Sequence, residues 1–269
     1  MAQIDFTSSN IPLIFIETSG QEILDDPRII ANMKVINNTG SRNYLTDSIN
    51  GYDGRISIEI RGSTSQSFPK KQYGFETQKS DGSNNNVSLL GLPSENDWIL
   101  SAPYSDKSLI RNILAFKLSE TLGNYASRTK LCELFLNDEY MGVYVLTEKI
   151  KRDENRVDIS KLKPDEINGD DLTGGYIIKI DKNTGNSGPS WNSDSGVVFL
   201  FDTPKHDEIV FEQKEYIKNY INAFEQALIS EDYADENTGY RKYINENSFI
   251  DFNASKEDLS VYARAEKEL

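Results

Sequence analysis

At 269 residues with a formal net charge of -14 (43 acidic against 29 basic side chains), the chain has enough length for one large domain or two small ones. Its charge argues against a surface that binds DNA or another polyanion over a broad area. No apolar run approaches the roughly 20 residues of a membrane span. The single cysteine, Cys132, excludes an internal disulfide and a zinc site built from clustered thiolates. The opening residues lack the basic start of a secretory signal.

In chain order, Ile11 to Thr18 is short and β-branched and ends at a Ser-Gly turn, which predicts a buried strand. The run "DDPRIIANMKVI" predicts a turn and then a second strand over Ala31 to Ile36, followed by a polar loop rich in Asn, Gly and Asp. In "GRISIEIRG", Ile56, Ile58 and Ile60 alternate with Ser57, Glu59 and Arg61, the period of a half-buried strand with Arg61 on its polar face. "RGSTSQSFPKKQYGFE" follows. It has Gly62 but no glycine-lysine junction into a helix, so it is not a P-loop. In the strand predicted for "KKQYGFET", Lys71 shares a face with Tyr73 and Phe75 while Lys70 lies on the other.

A helix is predicted from Ser108 to Leu122, with Ser105 or Asp106 as cap, Ile110, Ile113, Leu114 and Leu118 at helical spacing, and Gly123 as stop. "KLCELFLNDEYMGVYVLTE" predicts a buried hairpin turning at Asn137 and Asp138, with Cys132 as a core thiol. Its neighbouring strands are expected from Gly174 to Asp181 and Gly196 to Asp202, with a flexible loop between those two. Lys214 to Ile229 predicts a second helix with an apolar stripe of Tyr216, Ile217, Tyr220, Ile221, Phe224 and Leu228. A charged tail follows Asp251.

Few residues carry chemistry by motif alone. His206 sits in a polar loop, "DKNTGNSG" misses the calcium-loop spacing after Asp181 and Asn183, and the pair Asp170 and Asp171 gives no carboxylate separation. Taken alone, Lys70 and Lys71 read as solvated lysines. Arg111 at the start of an apolar helix and Glu148 at the end of an apolar strand point to a ligand or to an internal ion pair, with each other among the options.

Four blocks, "IEIRGSTSQSFPKKQYGFET", "LLGLPSENDWILSAPYSDKSLIRNILAFKL", "ELFLNDEYMGVYVLTEKIK" and "GGYIIKID", together resemble the spore coat protein H (CotH) kinase-like family, in its secreted bacterial branch, over residues 9–252. The resemblance implies an α+β, atypical protein-kinase-like fold: a lobe of twisted antiparallel sheet with packed helices, then a more helical lobe, with ATP and Mg2+ between them. It implies transfer of the ATP γ-phosphoryl group to Ser or Thr of a surface or coat protein, and an extracellular or cell-surface parent. Lys70 or Lys71 would meet the nucleotide phosphates, Arg61 and Arg111 would bind phosphate or brace the site, and Glu148 would fall where the chain crosses between lobes.

The family's aspartates for acceptor and metal lie beyond the second helix, the latter in a Trp-Asp-Phe-Asp-like motif. Here Trp98 and Trp191 are followed by Ile99 and Asn192, and residues 253–269 do not continue the family pattern. The second lobe is therefore expected to be incomplete and the chain inactive or strongly impaired. The alternatives are a non-catalytic surface or adhesion module that keeps the fold, and a glycan-binding or glycan-processing domain, which would need Trp98 or Trp191 as exposed platforms.

Overall fold

The computed structural model describes residues 6–121, 125–181 and 190–244. In chain order the strands are β1 (Ser8–Ser9), β2 (Leu13–Glu17), β3 (Ile29–Ile36), β4 (Asn43–Tyr44), β5 (Tyr52–Arg61), β6 (Gln72–Thr77), β7 (Asp97–Ser101), β8 (Thr129–Leu136), β9 (Glu139–Glu148), β10 (Ile177–Ile180), β11 (Ser190–Asn192) and β12 (Val198–Thr203). Two α-helices, α1 (Arg111–Thr121) and α2 (Phe211–Ile229), and three short 3-10 turns complete the order. The chain divides into two compact units, residues 1–114 with 127–149 and residues 115–126 with 150–269, the boundary falling inside α1 and again after Lys149.

The first unit is built on a closed seven-stranded barrel in the ring order β2-β3-β5-β6-β7-β9-β8. Six of its seven pairings are antiparallel; β2 and β8 run parallel and close the ring. The twisted antiparallel sheet expected from the resemblance is present as a closed barrel with one parallel pairing. The predicted alternation holds in part: Ile56 and Ile58 on β5, and Tyr73 and Phe75 on β6, join the buried core and Glu59 and Arg61 stay on the outer face, while Ser57 is buried as well and Ile60 only partly so. Trp98 and Leu100 of β7 are fully buried in that same core.

The hairpin β8–β9 turns at Asn137 and Asp138, both with positive φ (50° and 63°), as its two-residue loop requires. Its neighbours are β2 and β7, and not the later strands predicted for that place. Those later strands form a separate sheet in the second unit, β10-β12-β11, with β12 in the middle. Its third strand, Ser190–Asn192, lies where a loop was expected, because Trp191 stacks on Phe199 (5.3 Å) and Phe201 (4.4 Å) of β12.

Both predicted helices exist, with different faces buried. Asp106 caps α1, accepting from the backbone N–H of Ser108 (3.0 Å) and Arg111 (3.0 Å). No residue of α1 is buried: Leu114 and Leu118 are 59% and 44% exposed, so helical spacing of apolar residues did not mean a core stripe. The predicted Leu122 and Gly123 stop lies outside the described residues. Helix α2 starts three residues earlier than predicted and buries Gln213, Ile217, Glu225 and Ala227, leaving Leu228 exposed. Gln213 earns its place by donating to the carbonyls of Lys163 (2.6 Å) and Glu166 (3.1 Å), and Glu225 by accepting from Ser193 (2.7 Å).

Cys132 lies wholly inside the barrel, where burial pushes its thiol up to about 12. Native protein at pH 8 is expected to resist iodoacetamide and to be alkylated at one site once unfolded in urea. Rapid native labelling, followed by mass spectrometry, would show that β8 does not face a closed interior.

Candidate functional site

The loop between β5 and β6 holds three of the residues singled out by sequence. Arg61 ends β5 directly opposite Gln72, which begins β6. Between them the chain turns at Gly62, whose φ of 108° and 2.1 Å approach of a notional Cβ to Ser65 Oγ leave no room for a side chain. It then makes a short 3-10 turn over Thr64–Ser67. The amide of Gln66 donates to the Gly62 carbonyl (2.6 Å) and to Asp25 (2.8 Å), which fixes the loop's path.

Both lysines precede β6, a shorter strand than predicted, and their side chains part. The Lys70 ammonium donates to the Val143 carbonyl of β9 and lies 4.5 Å from the centre of the Tyr144 ring. Burial holds it below the ordinary lysine range, with Glu133 opposing the shift. Lys71 folds back to donate to the Gln66 carbonyl (2.6 Å), while its own carbonyl accepts from the Tyr144 hydroxyl (3.0 Å). Each ammonium therefore has a protein acceptor.

Arg61 is different. It lies on the outer face of β5 with Glu59, and the same face carries Glu76 of β6 and Asp97 of β7. Arg28 bridges Glu59 (2.8 Å) and Glu76 (2.7 Å), and Lys149 holds Asp97 (3.0 Å). Arg61 is partly buried and makes neither a hydrogen bond nor an ion pair among the described residues. Burial lowers its pKa, with Glu59 and Asp97 acting from a distance in the other direction. Beside it on this face, the Ser101 hydroxyl donates to the Gln72 side chain (3.3 Å).

Glu148 and Arg111 do not join this group, nor each other. Glu148 lies four residues beyond Tyr144 along β9, across from Trp98. Its carboxylate is fully buried, one oxygen accepting from the Arg128 backbone N–H (3.1 Å) and Nε (2.9 Å), the other without a hydrogen-bond partner. The Arg111 side chain is 77% exposed, 3.6 Å from Asp106. The internal-pair reading is thus right for Glu148 in kind and wrong in partner. Sequence reasoning missed Arg128, Arg28 and Asp97; only Glu59 in phase with Arg61 hinted at a charged outer face.

The other candidates fall away from chemistry. Asp170 and Asp171 are exposed on a 3-10 turn, and His206 lies in a loop 4.0 Å from Asp207. Trp98 and Trp191 are both buried, so neither is the exposed platform a glycan site would need. Asn183, Gly185 and Asn186 of the calcium-loop-like run lie outside the described residues. Among the described residues no cluster of three or more His, Cys, Asp or Glu side chains could hold a metal.

Removing Arg128 would leave a buried, unpaired carboxylate, a costly change even though the arginine itself is 32% exposed. Arg128→Ala is expected to lower stability by about 3 kcal/mol in urea titration, and Glu148→Gln in that background to recover part of it. A loss under about 0.5 kcal/mol would mean that the pair contributes no more than an ordinary surface contact.

Among the described residues no helix is long and apolar enough to cross a membrane. No curated protein matches the chain. A family model described as CotH kinase protein matches residues 58–260, about three quarters of the sequence, and its span takes in the whole Arg61–Gln72 loop and β6 to β12. The chain belongs to the CotH kinase protein family.

Proposed function

We propose that this chain supplies the nucleotide-binding part of a CotH-type kinase, whose parent protein transfers the γ-phosphoryl group of ATP to serine or threonine of a surface or coat protein. We take residues 9–252 as the kinase-like domain and 253–269 as a divergent tail, with the family match itself running on to residue 260. The observation that carries the reading is a cationic loop, Arg61 to Lys71, inside the span matched by the kinase family. Phosphate recognition needs cationic donors, and three cations lie on the segment that joins two barrel strands: Arg61 at the end of β5, and Lys70 and Lys71, whose ammonium groups each donate to a backbone carbonyl. Glu148 contributes by fixing the end of β9 through Arg128, and Arg111 by its place at the start of α1.

ATP and magnesium stand differently against these residues. Phosphates would have to draw Lys70 and Lys71 from the Val143 and Gln66 carbonyls. Magnesium does not find a carboxylate set among the described residues, and no step is routed through it. Neither tryptophan precedes an aspartate. The 269 residues assayed alone are therefore expected to bind ATP without robust phosphotransfer.

Thermal melting with and without ATP tests the binding, since ligand at about a hundred times its Kd adds about 2.7 kcal/mol to stability. A rise in Tm that is lost in Lys70→Ala/Lys71→Ala supports the nucleotide site. No rise at millimolar ATP would favour the non-catalytic surface or adhesion module instead. Labelled γ-phosphate from ATP, incubated with magnesium and a serine-rich acceptor, is expected to stay unincorporated; sustained turnover would overturn the inactivity.

A further inference from the structure

We infer that Asn168–Gly169 is a self-modification site, where the asparagine side chain closes on the backbone and converts to aspartate and isoaspartate, while Asn50–Gly51 is held inert by the barrel. This chemistry stands apart from nucleotide binding. These are the two Asn-Gly pairs of the sequence, and both read Ile-Asn-Gly, so the local sequence does not separate them. In such a pair the glycine backbone nitrogen attacks the asparagine side-chain carbonyl carbon. A C–N bond forms, ammonia leaves, and water then opens the five-membered imide at either of its carbonyls. One water is consumed for each ammonia released, with no oxidant or cofactor. Closure needs a glycine N–H that is free to lose its proton, an asparagine side chain free to swing onto it, and no following side chain in the way.

Both pairs are exposed, so access to water does not separate them either. Hydrogen bonding does. At the first pair the Gly51 N–H donates to the Val35 carbonyl of β3 (2.9 Å). The Asn50 side-chain oxygen accepts from the Asn37 backbone N–H (2.7 Å), and its amide donates to the Asn38 side chain (2.8 Å). Ring closure would break all three, in a place where the Val35 side chain comes within 2.7 Å of a notional Cβ on Gly51. At the second pair neither the Asn168 side chain nor the Gly169 N–H has a hydrogen-bond partner among the described residues. Nothing lies within 4 Å of a Cβ built on Gly169, whose φ is 60°. The chain on either side is pinned. The Glu166 carbonyl accepts from Gln213 of α2 (3.1 Å), the Gly169 carbonyl from the Leu172 N–H (3.3 Å), and the Leu172 carbonyl from the Tyr176 hydroxyl (2.9 Å). Isoaspartate would lengthen the backbone by one carbon between those pins, and either product would add a carboxylate beside Asp170 and Asp171.

Peptide mass spectrometry on the full chain, held at pH 8 in buffer and in guanidinium chloride, follows each asparagine separately, with Asn168→Gln as control. In buffer Asn168 is expected to convert about tenfold to a hundredfold faster than Asn50, the effect of the hydrogen bonds that closure at Asn50 must break. In denaturant the two should convert at similar rates, since only the fold distinguishes them. The Asn168 peptide should yield two products of equal mass, aspartyl and isoaspartyl, separable by chromatography and absent from Asn168→Gln, whose longer side chain would need a six-membered ring. Conversion of Asn50 in buffer as fast as that of Asn168 would overturn the protection by the barrel. An Asn168 that stays intact in buffer while converting in denaturant would overturn the site.

Discussion

The parallel pairing of β2 with β8 decides the architecture of the first unit. Without it the same seven strands would form an open sheet with β2 and β8 as its unpaired edges; with it they form a ring that has none. The pairing joins residues some 120 positions apart and is locked at one end by side chains. Asn137, at the hairpin turn, accepts from the Thr18 backbone N–H (2.9 Å) and donates from its own backbone to the Ile16 carbonyl (2.9 Å). An asparagine suits both needs, since it tolerates the positive φ of the turn and carries the acceptor that reaches back to β2.

Closure fixes what each strand face can do. The interior holds Trp98, Phe75, Tyr144 and the branched residues around them, an apolar core. Charge is displaced to the outside, where Gly74 lies between Glu59 and Ile99 on adjacent strands. A methyl group at position 74 would approach the Glu59 carboxylate to 3.2 Å, so a bare backbone keeps the Arg28–Glu59 contact unobstructed. On that face Arg28 and Lys149 are paired with carboxylates, while Arg61 stands at the end of β5 opposite Gln72.

Strands with strict alternation were legible from sequence because period two is a local property: β5, β6 and the β8–β9 hairpin appear where the pattern places them. What was hidden depends on distant partners. β7 has only five residues, and "DWILS" shows too short an alternation to declare itself before its neighbours β6 and β9 are known. β11 is a strand because Trp191 has aromatic partners on β12. The apolar residues of α1 have helical spacing without burial, since periodicity reports a face and not what covers it. At the candidate site the residue types were readable, but which ammonium is already satisfied, and that Glu148 pairs with Arg128, are facts of tertiary geometry.

The sheet of the second unit lacks the protection that closure gives the first. Among the described residues its outer strands β10 and β11 each pair only with β12, and Ile180 at the end of β10 is 72% exposed. Unsatisfied backbone donors and acceptors beside an exposed apolar side chain form a template for another extended segment. The barrel ring offers no strand to add to, whereas the described strands of the small sheet leave an edge at which another extended segment could pair. Lysine or proline on the free side of β10 is the modification that would let that half be handled on its own.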